Sequence, residues 1–134
     1  MLQLMDRKKL VQELEGEVGI AALILFGSHA SGHADSKSDI DLGAFYETAI
    51  PGSMEILQLK QKLSDLMGVD VDFIVLNEAS PILAMQVIQN GTPLFIKNMK
   101  AYRDFEVKLI TDYADLKRVL KPFEENILKR KLHG

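Results

Sequence analysis

The sequence predicts a mixed α/β domain, a small sheet of about four strands flanked by helices. Three observations lead there. Apolar or alternating runs of strand length recur at Ile20 to Phe26, Asp39 to Tyr46, Val69 to Leu76 and Thr92 to Ile96. Between most of them lie segments whose apolar residues recur at helical spacing. The first two runs are joined only by a short, polar, glycine-containing segment, with no helix long enough for a parallel crossover, so the sheet is expected to be mixed.

The elements follow in order. Asp6 is placed to cap a first helix whose inner face carries Leu10, Val11 and Leu14, with Gly16 and Gly19 ending it. Ile20 to Phe26 is a continuously apolar run closed by Gly27, the pattern of a buried strand. Residues 27–38 are small and polar, a loop with room for one helical turn. Asp39 to Tyr46 alternates as a second strand. Pro51 to Met67 spaces Met54, Leu57, Leu59, Leu63 and Leu66 as a helix does, and Gly68 stops it. Val69 to Leu76 is a β-branched third strand. Ser80-Pro81 opens a helix with proline in its first turn, running to Asn90-Gly91, and Thr92 to Ile96 is a fourth strand. Phe105, Leu109, Tyr113, Leu116 and Leu120 make a last amphipathic helix, with an interruption expected at Pro122. The 134 residues read as one domain, core about 6–96 with a helical extension about 98–134.

Composition narrows the function. Apolar residues make up 47% and charged ones 26%, which supports a packed core and argues against disorder. The absence of cysteine excludes disulfides, thiolate metal sites and cysteine nucleophiles. The longest apolar run, seven residues from Ile20 to Phe26, is far short of a membrane span. Residues 1–10 turn charged at Asp6-Arg7-Lys8-Lys9, unlike a secretory signal, so a cytoplasmic location is expected. Residues 1–96 carry 6 basic and 13 acidic side chains, whereas residues 97–134 carry 10 and 6. An acidic body argues against nucleic-acid binding. The basic tail, with Lys129-Arg130-Lys131 near its end, is expected to be a frayed, solvated helix face or to dock on an acidic surface. Tyr46, Tyr102 and Tyr113 fit packing positions better than modification sites.

Two motifs carry chemistry. Gly27-Ser28 directly follows the first strand, where glycine lets the chain turn and leaves backbone N–H groups free to meet an anion. Asp39-Ile40-Asp41 sends two carboxylates to one side of the second strand. Aspartate is disfavoured in strands, and paired carboxylates call for a cation; Mg²⁺, which shares its coordination with substrate phosphates, fits such oxygens. Val69-Asp70-Val71-Asp72-Phe73 offers a third acid from a neighbouring strand, Asp70 or Asp72 by alternation alone. His29 and His33 lie four apart, but without a third ligand they read as lining a phosphate entrance or facing water rather than holding zinc.

The run from Leu25-Phe26-Gly27-Ser28 through Gly32 and Ala34 to Ser38-Asp39-Ile40-Asp41-Leu42 resembles the signature of the DNA polymerase β-like nucleotidyltransferase superfamily. With Val71-Asp72, Leu76, Ala79-Ser80-Pro81, Gly91 and Leu94-Phe95, the likeness covers about residues 20–96 and is closest to the minimal nucleotidyltransferase branch. The resemblance implies a polymerase β-like fold and AMP transfer from ATP to a hydroxyl. It implies that Gly27, Ser28 and Ser38 bind the nucleotide and that Asp39 and Asp41 hold Mg²⁺. The third acid, fixed at Asp72 by counting back from Ala79-Ser80-Pro81, completes the metal site or accepts the acceptor's proton. Proteins of this branch and length are typically paired with a HEPN ribonuclease toxin, so the resemblance implies an antitoxin that adenylylates that toxin on tyrosine. A contact-only antitoxin and a transferase for aminoglycoside-type hydroxyls are the alternatives, and homodimer or hetero-oligomer stays open. One departure stands out: many relatives have Arg where this chain has Ser31, which removes a triphosphate clamp that Lys37 could replace in part.

Overall fold

The computed structural model describes residues 3–35 and 38–133. Helix α1 (Leu4–Glu15) leads into β1 (Ile20–Phe26), the one-turn helix α2 (Ser28–Ser31) and β2 (Ile40–Tyr46). Then come α3 (Ser53–Met67), β3 (Val71–Val75), a 3₁₀ turn (Leu76–Glu78), α4 (Pro81–Asn90), β4 (Thr92–Ile96) and α5 (Met99–His133). The sheet order is β3-β2-β1-β4. β1 runs antiparallel to both β2 and β4, while β2 and β3 are parallel across the α3 crossover, so the sheet is mixed as expected.

Side-chain alternation divides the sheet into two buried faces. On one, Leu23, Leu25, Ile40, Leu42, Val71 and Phe73 pack with Leu10 and Leu14 of α1 and Leu59 and Leu63 of α3. On the other, Ala22, Ile24 and Phe45 meet Ala84 and Val87 of α4 and Tyr102 and Leu109 of α5, with the Phe45 and Phe105 rings stacked 4.6 Å apart. Gly43 makes the second packing possible: a Cβ there would stand 3.0 Å from Val87 Cγ1. Asp41 and Asp72 belong to this second face because Ile40, Leu42, Val71 and Phe73 take the first.

Three local expectations are corrected, at the start of α1, at Pro122 and at the tail. The N-cap of α1 is Gln3, and Asp6 sits inside the first turn, where a carboxylate still favours the helix dipole. In α3 only Leu59 and Leu63 of the five spaced residues are buried; Met54, Leu57 and Leu66 are exposed. α5 continues through Pro122. Proline costs the bond to the Arg118 carbonyl, and because Arg118 is exposed that oxygen is left to water. The basic tail is the expected solvated helix face, but neither frayed nor folded onto the acidic body: residues 121–132 are helical and exposed throughout. Ser80, by contrast, caps α4 as its sequence suggests, its Oγ accepting from Leu83 N at 3.2 Å. Among the described residues no helix is long and apolar enough to cross a membrane.

Candidate active site

Three strands bring the singled-out residues to one end of the sheet. Phe26, the last residue of β1, is the cross-strand partner of Asp41, and Asp41 in turn is the partner of Asp72. Chemistry-bearing groups therefore follow one another in a row: the Gly27 turn, Asp41, Asp72. Asp39 stands just before β2 and is exposed. Asp70 lies outside β3, and its carbonyl accepts from Ile40 N at 2.9 Å, so its part is in the ladder.

The turn is built around Gly27, whose φ of 71° an L side chain rarely adopts. Space forbids a side chain as well: a Cβ would collide with Asp41 Oδ2, so the acid is seated against the turn. The Gly27 carbonyl accepts from Ala30 and Ser31 N–H at 3.2 and 3.1 Å, which closes the single turn of α2. Earlier N–H groups of a helix have no partner within it and suit an anion. Ser31 Oγ donates to the Ser28 carbonyl at 3.2 Å and is exposed, so it offers no substitute for an arginine. Ser38 Oγ accepts from Asp35 N at 3.0 Å and shapes the loop. Lys37 lies outside the described residues.

Asp41 holds its proton more tightly than an ordinary aspartate. Burial raises its pKa first, then the negative charges of Asp72 and Asp39, while His29 opposes them. Asp72 is half exposed and pairs with Lys60 Nζ at 3.3 Å. Among the described residues no three His, Cys, Asp or Glu side chains stand close enough to form a metal cage by themselves. A cation held here would take only part of its coordination from the protein, the habit of Mg²⁺ bound together with phosphate oxygens.

Of the two expectations for His29, lining a phosphate entrance or facing water, burial removes the second. The residue is 5% exposed, with Nε2 3.0 Å from the Ser38 carbonyl, so the ring ties α2 to the residue preceding Asp39. His33 is exposed. A buried histidine in a polar, helix-prone loop gives no periodic signal, which is why only coordinates reveal the tether. Lys60 escapes sequence reading for a similar reason, since it sits among the ordinary charges of α3. Tyr46 and Tyr102 are buried, and burial pushes both phenols up to about 12.

Comparison with known proteins identifies the family. Protein adenylyltransferase MntA of Shewanella oneidensis is 30% identical over 116 residues, 86% of this chain and 82% of that one. A crystal structure of a toxin–antitoxin with AMP-PNP superposes with a TM-score of 0.82 at 26% identity, covering 91% of this chain and 98% of that chain. The fold also matches, at a TM-score of 0.79 and 24% identity over 95% of this chain and 99% of that chain, a complex of tri-AMPylated Shewanella oneidensis HEPN toxin with MNT antitoxin. Residues 8–100 match the family described as polymerase beta, nucleotidyltransferase, and the chain is a member of that nucleotidyltransferase family.

Proposed function

We propose that this chain transfers AMP from ATP to a tyrosine hydroxyl of a HEPN-family toxin and thereby acts as that toxin's antitoxin. The observation that carries the reading is the row of Gly27, Asp41 and Asp72, with Asp41 pressed against a turn that suits phosphate. The adenylyltransferase activity in the name of the Shewanella relative and the toxin partners of the structural neighbours support the acceptor.

Gly27, Ser28 and Ser38 bind the triphosphate, the glycine because only a bare backbone fits beside Asp41. Asp39 and Asp41, with Asp72 beside them, would hold Mg²⁺. Their fit to a cation rests on hard oxygen donors and on mutual repulsion that already raises the Asp41 pKa. The ion supplies neutralisation of the phosphates and of the leaving pyrophosphate. The tyrosine oxygen attacks the α-phosphorus as its bond to the bridging oxygen of pyrophosphate breaks. The phenol proton passes to the Asp72 carboxylate and from there to water. Positioning and electrostatics supply most of the acceleration in such transfers. We assign the reaction to the cytoplasm, where ATP is available and a cysteine-free chain loses nothing.

The test uses α-labelled ATP and a HEPN-family toxin purified with this chain. Label should pass to toxin tyrosine, and Asp41→Asn should cut the rate by about a thousandfold or more, as removal of a metal and charge anchor does. Undiminished labelling by the variant overturns the site assignment. Full neutralisation by an Asp39/Asp41 double variant would mean that contact alone disarms the toxin.

A further inference from the structure

We infer that the groove along the outer edge of β3 docks the acceptor, taking an extended, tyrosine-bearing segment of the partner toxin as an added strand. This deepens the proposed adenylylation and rests on it. The groove encloses ≈ 710 Å³ and is lined by four consecutive β3 residues, Asp72 to Val75. Successive side chains of a strand point to opposite faces, so one groove can touch all four only by running along the strand's edge. β3 is an outer strand, with β2 on its inner side alone. Ile40 N donates to the Asp70 carbonyl, which turns the peptide groups of residues 70, 72 and 74 towards β2 and those of 71, 73 and 75 outward. Val71 N–H is already taken by Ser64 Oγ at 2.9 Å and the Val75 carbonyl caps the following 3₁₀ turn, so the Phe73 N–H and carbonyl and the Val75 N–H are the groups left for a strand.

The walls suit a peptide. Leu57 of α3, 59% exposed, faces Leu83 of α4 across the edge, which gives apolar seats on both sides of an incoming backbone. Lys60 stands at the Asp72 end. Four strand residues span about 13 Å, a short segment's length, and the groove opens on the carboxylate assigned to take the phenol proton. Nucleotide approaches Asp41 from the Gly27 side, so the acceptor has the Asp72 side to itself. An added strand would carry its tyrosine past Asp72 while main-chain bonds to Phe73 and Val75 fix the register.

The experiment compares wild type with Leu57→Glu, an exposed position where a charge does not threaten folding. Label transfer from α-labelled ATP is measured to a HEPN-family toxin and to N-acetyltyrosinamide, which is too small to fill the groove. The loss towards toxin, read as a rise in its KM, should exceed the loss towards N-acetyltyrosinamide by tenfold or more. In wild type, toxin with a non-hydrolysable ATP analogue should slow hydrogen exchange at the Phe73 and Val75 amides. Equal losses on both acceptors, or unprotected edge amides in the complex, overturn the groove assignment while leaving adenylylation standing. The groove assignment also falls if Leu57→Glu only dissolves a homodimer. Absence of toxin labelling by wild type overturns the adenylylation itself, and this inference with it.

Discussion

The two ends of β2 are finished in opposite ways. At its far end Tyr46 is buried, and the Asn77 side chain closes the backbone completely: Tyr46 N donates to Asn77 Oδ1 at 2.9 Å and Asn77 Nδ2 donates to the Tyr46 carbonyl at 2.8 Å. Glu47 N–H then finds the Gly19 carbonyl at 2.9 Å. At the near end Asp41 is crowded by two other acids and wedged against a glycine in the left-handed region. Within one short strand, one end satisfies its backbone and leaves only the neutral Tyr46 hydroxyl buried without a partner, while the other leaves charge without enough counter-charge. The difference teaches where stability and chemistry reside along a single strand, because unsatisfied electrostatics are kept where a substrate or ion completes them.

The largest effect should come from Gly27→Ala. The new methyl would collide with Asp41 Oδ2 and force alanine to a φ of 71°. A destabilisation of about 1–3 kcal/mol follows from the positive-φ backbone alone, which with ψ at −151° is a region open essentially to glycine. Activity should fall further than stability explains, by about a hundredfold, since displacing an acid by an ångström disturbs the reacting geometry. Chemical denaturation beside label-transfer rates checks both. Transfer within a few fold of wild type would mean that the turn and Asp41 are not coupled.

Asn77→Ala tests the opposite end. Both bonds to Tyr46 vanish, leaving part-buried backbone groups without partners, at a cost of about 1–3 kcal/mol. Transfer per folded molecule should stay unchanged, because Asn77 lies at the other end of β2 from the acids. A matching loss of kcat would erase the division between the ends.

The acid end of this contrast was legible in the sequence, and for a physical reason. Glycine after an apolar run and aspartates inside strands are both locally disfavoured choices, so they stand out against propensity. Thr92–Ile96 and the Ser80-Pro81 helix start were equally plain, being set by short-range turn and capping chemistry. What stayed hidden depends on tertiary contact. His29 is an ordinary polar loop residue until the fold buries it against Ser38. Nothing in the run of α3 charges says that Lys60 pairs with Asp72. Pro122 misleads in the other direction, since its local rule predicts a break where an exposed helix simply tolerates one lost bond.

The smallest effect concerns charge at the near end. Asp41 binds its proton more tightly in the folded chain than an ordinary aspartate does. Between the unfolded and folded pKa values the native state therefore holds more protons than the unfolded state, and stability falls as pH rises through that window. The loss persists at neutral pH. Asp41→Asn removes it, so in metal-free buffer the variant should match wild type in acid and exceed it near pH 7 by less than about 1 kcal/mol, the group being mostly solvent-screened. Urea midpoints taken on both proteins between about pH 4 and pH 7 read the difference directly, which cancels the other carboxylates. Equal slopes would mean that neither burial nor the neighbouring acids raise the Asp41 pKa. Saturating Mg²⁺ with a non-hydrolysable ATP analogue should reverse the ranking, because only the wild-type carboxylate gains from the cation.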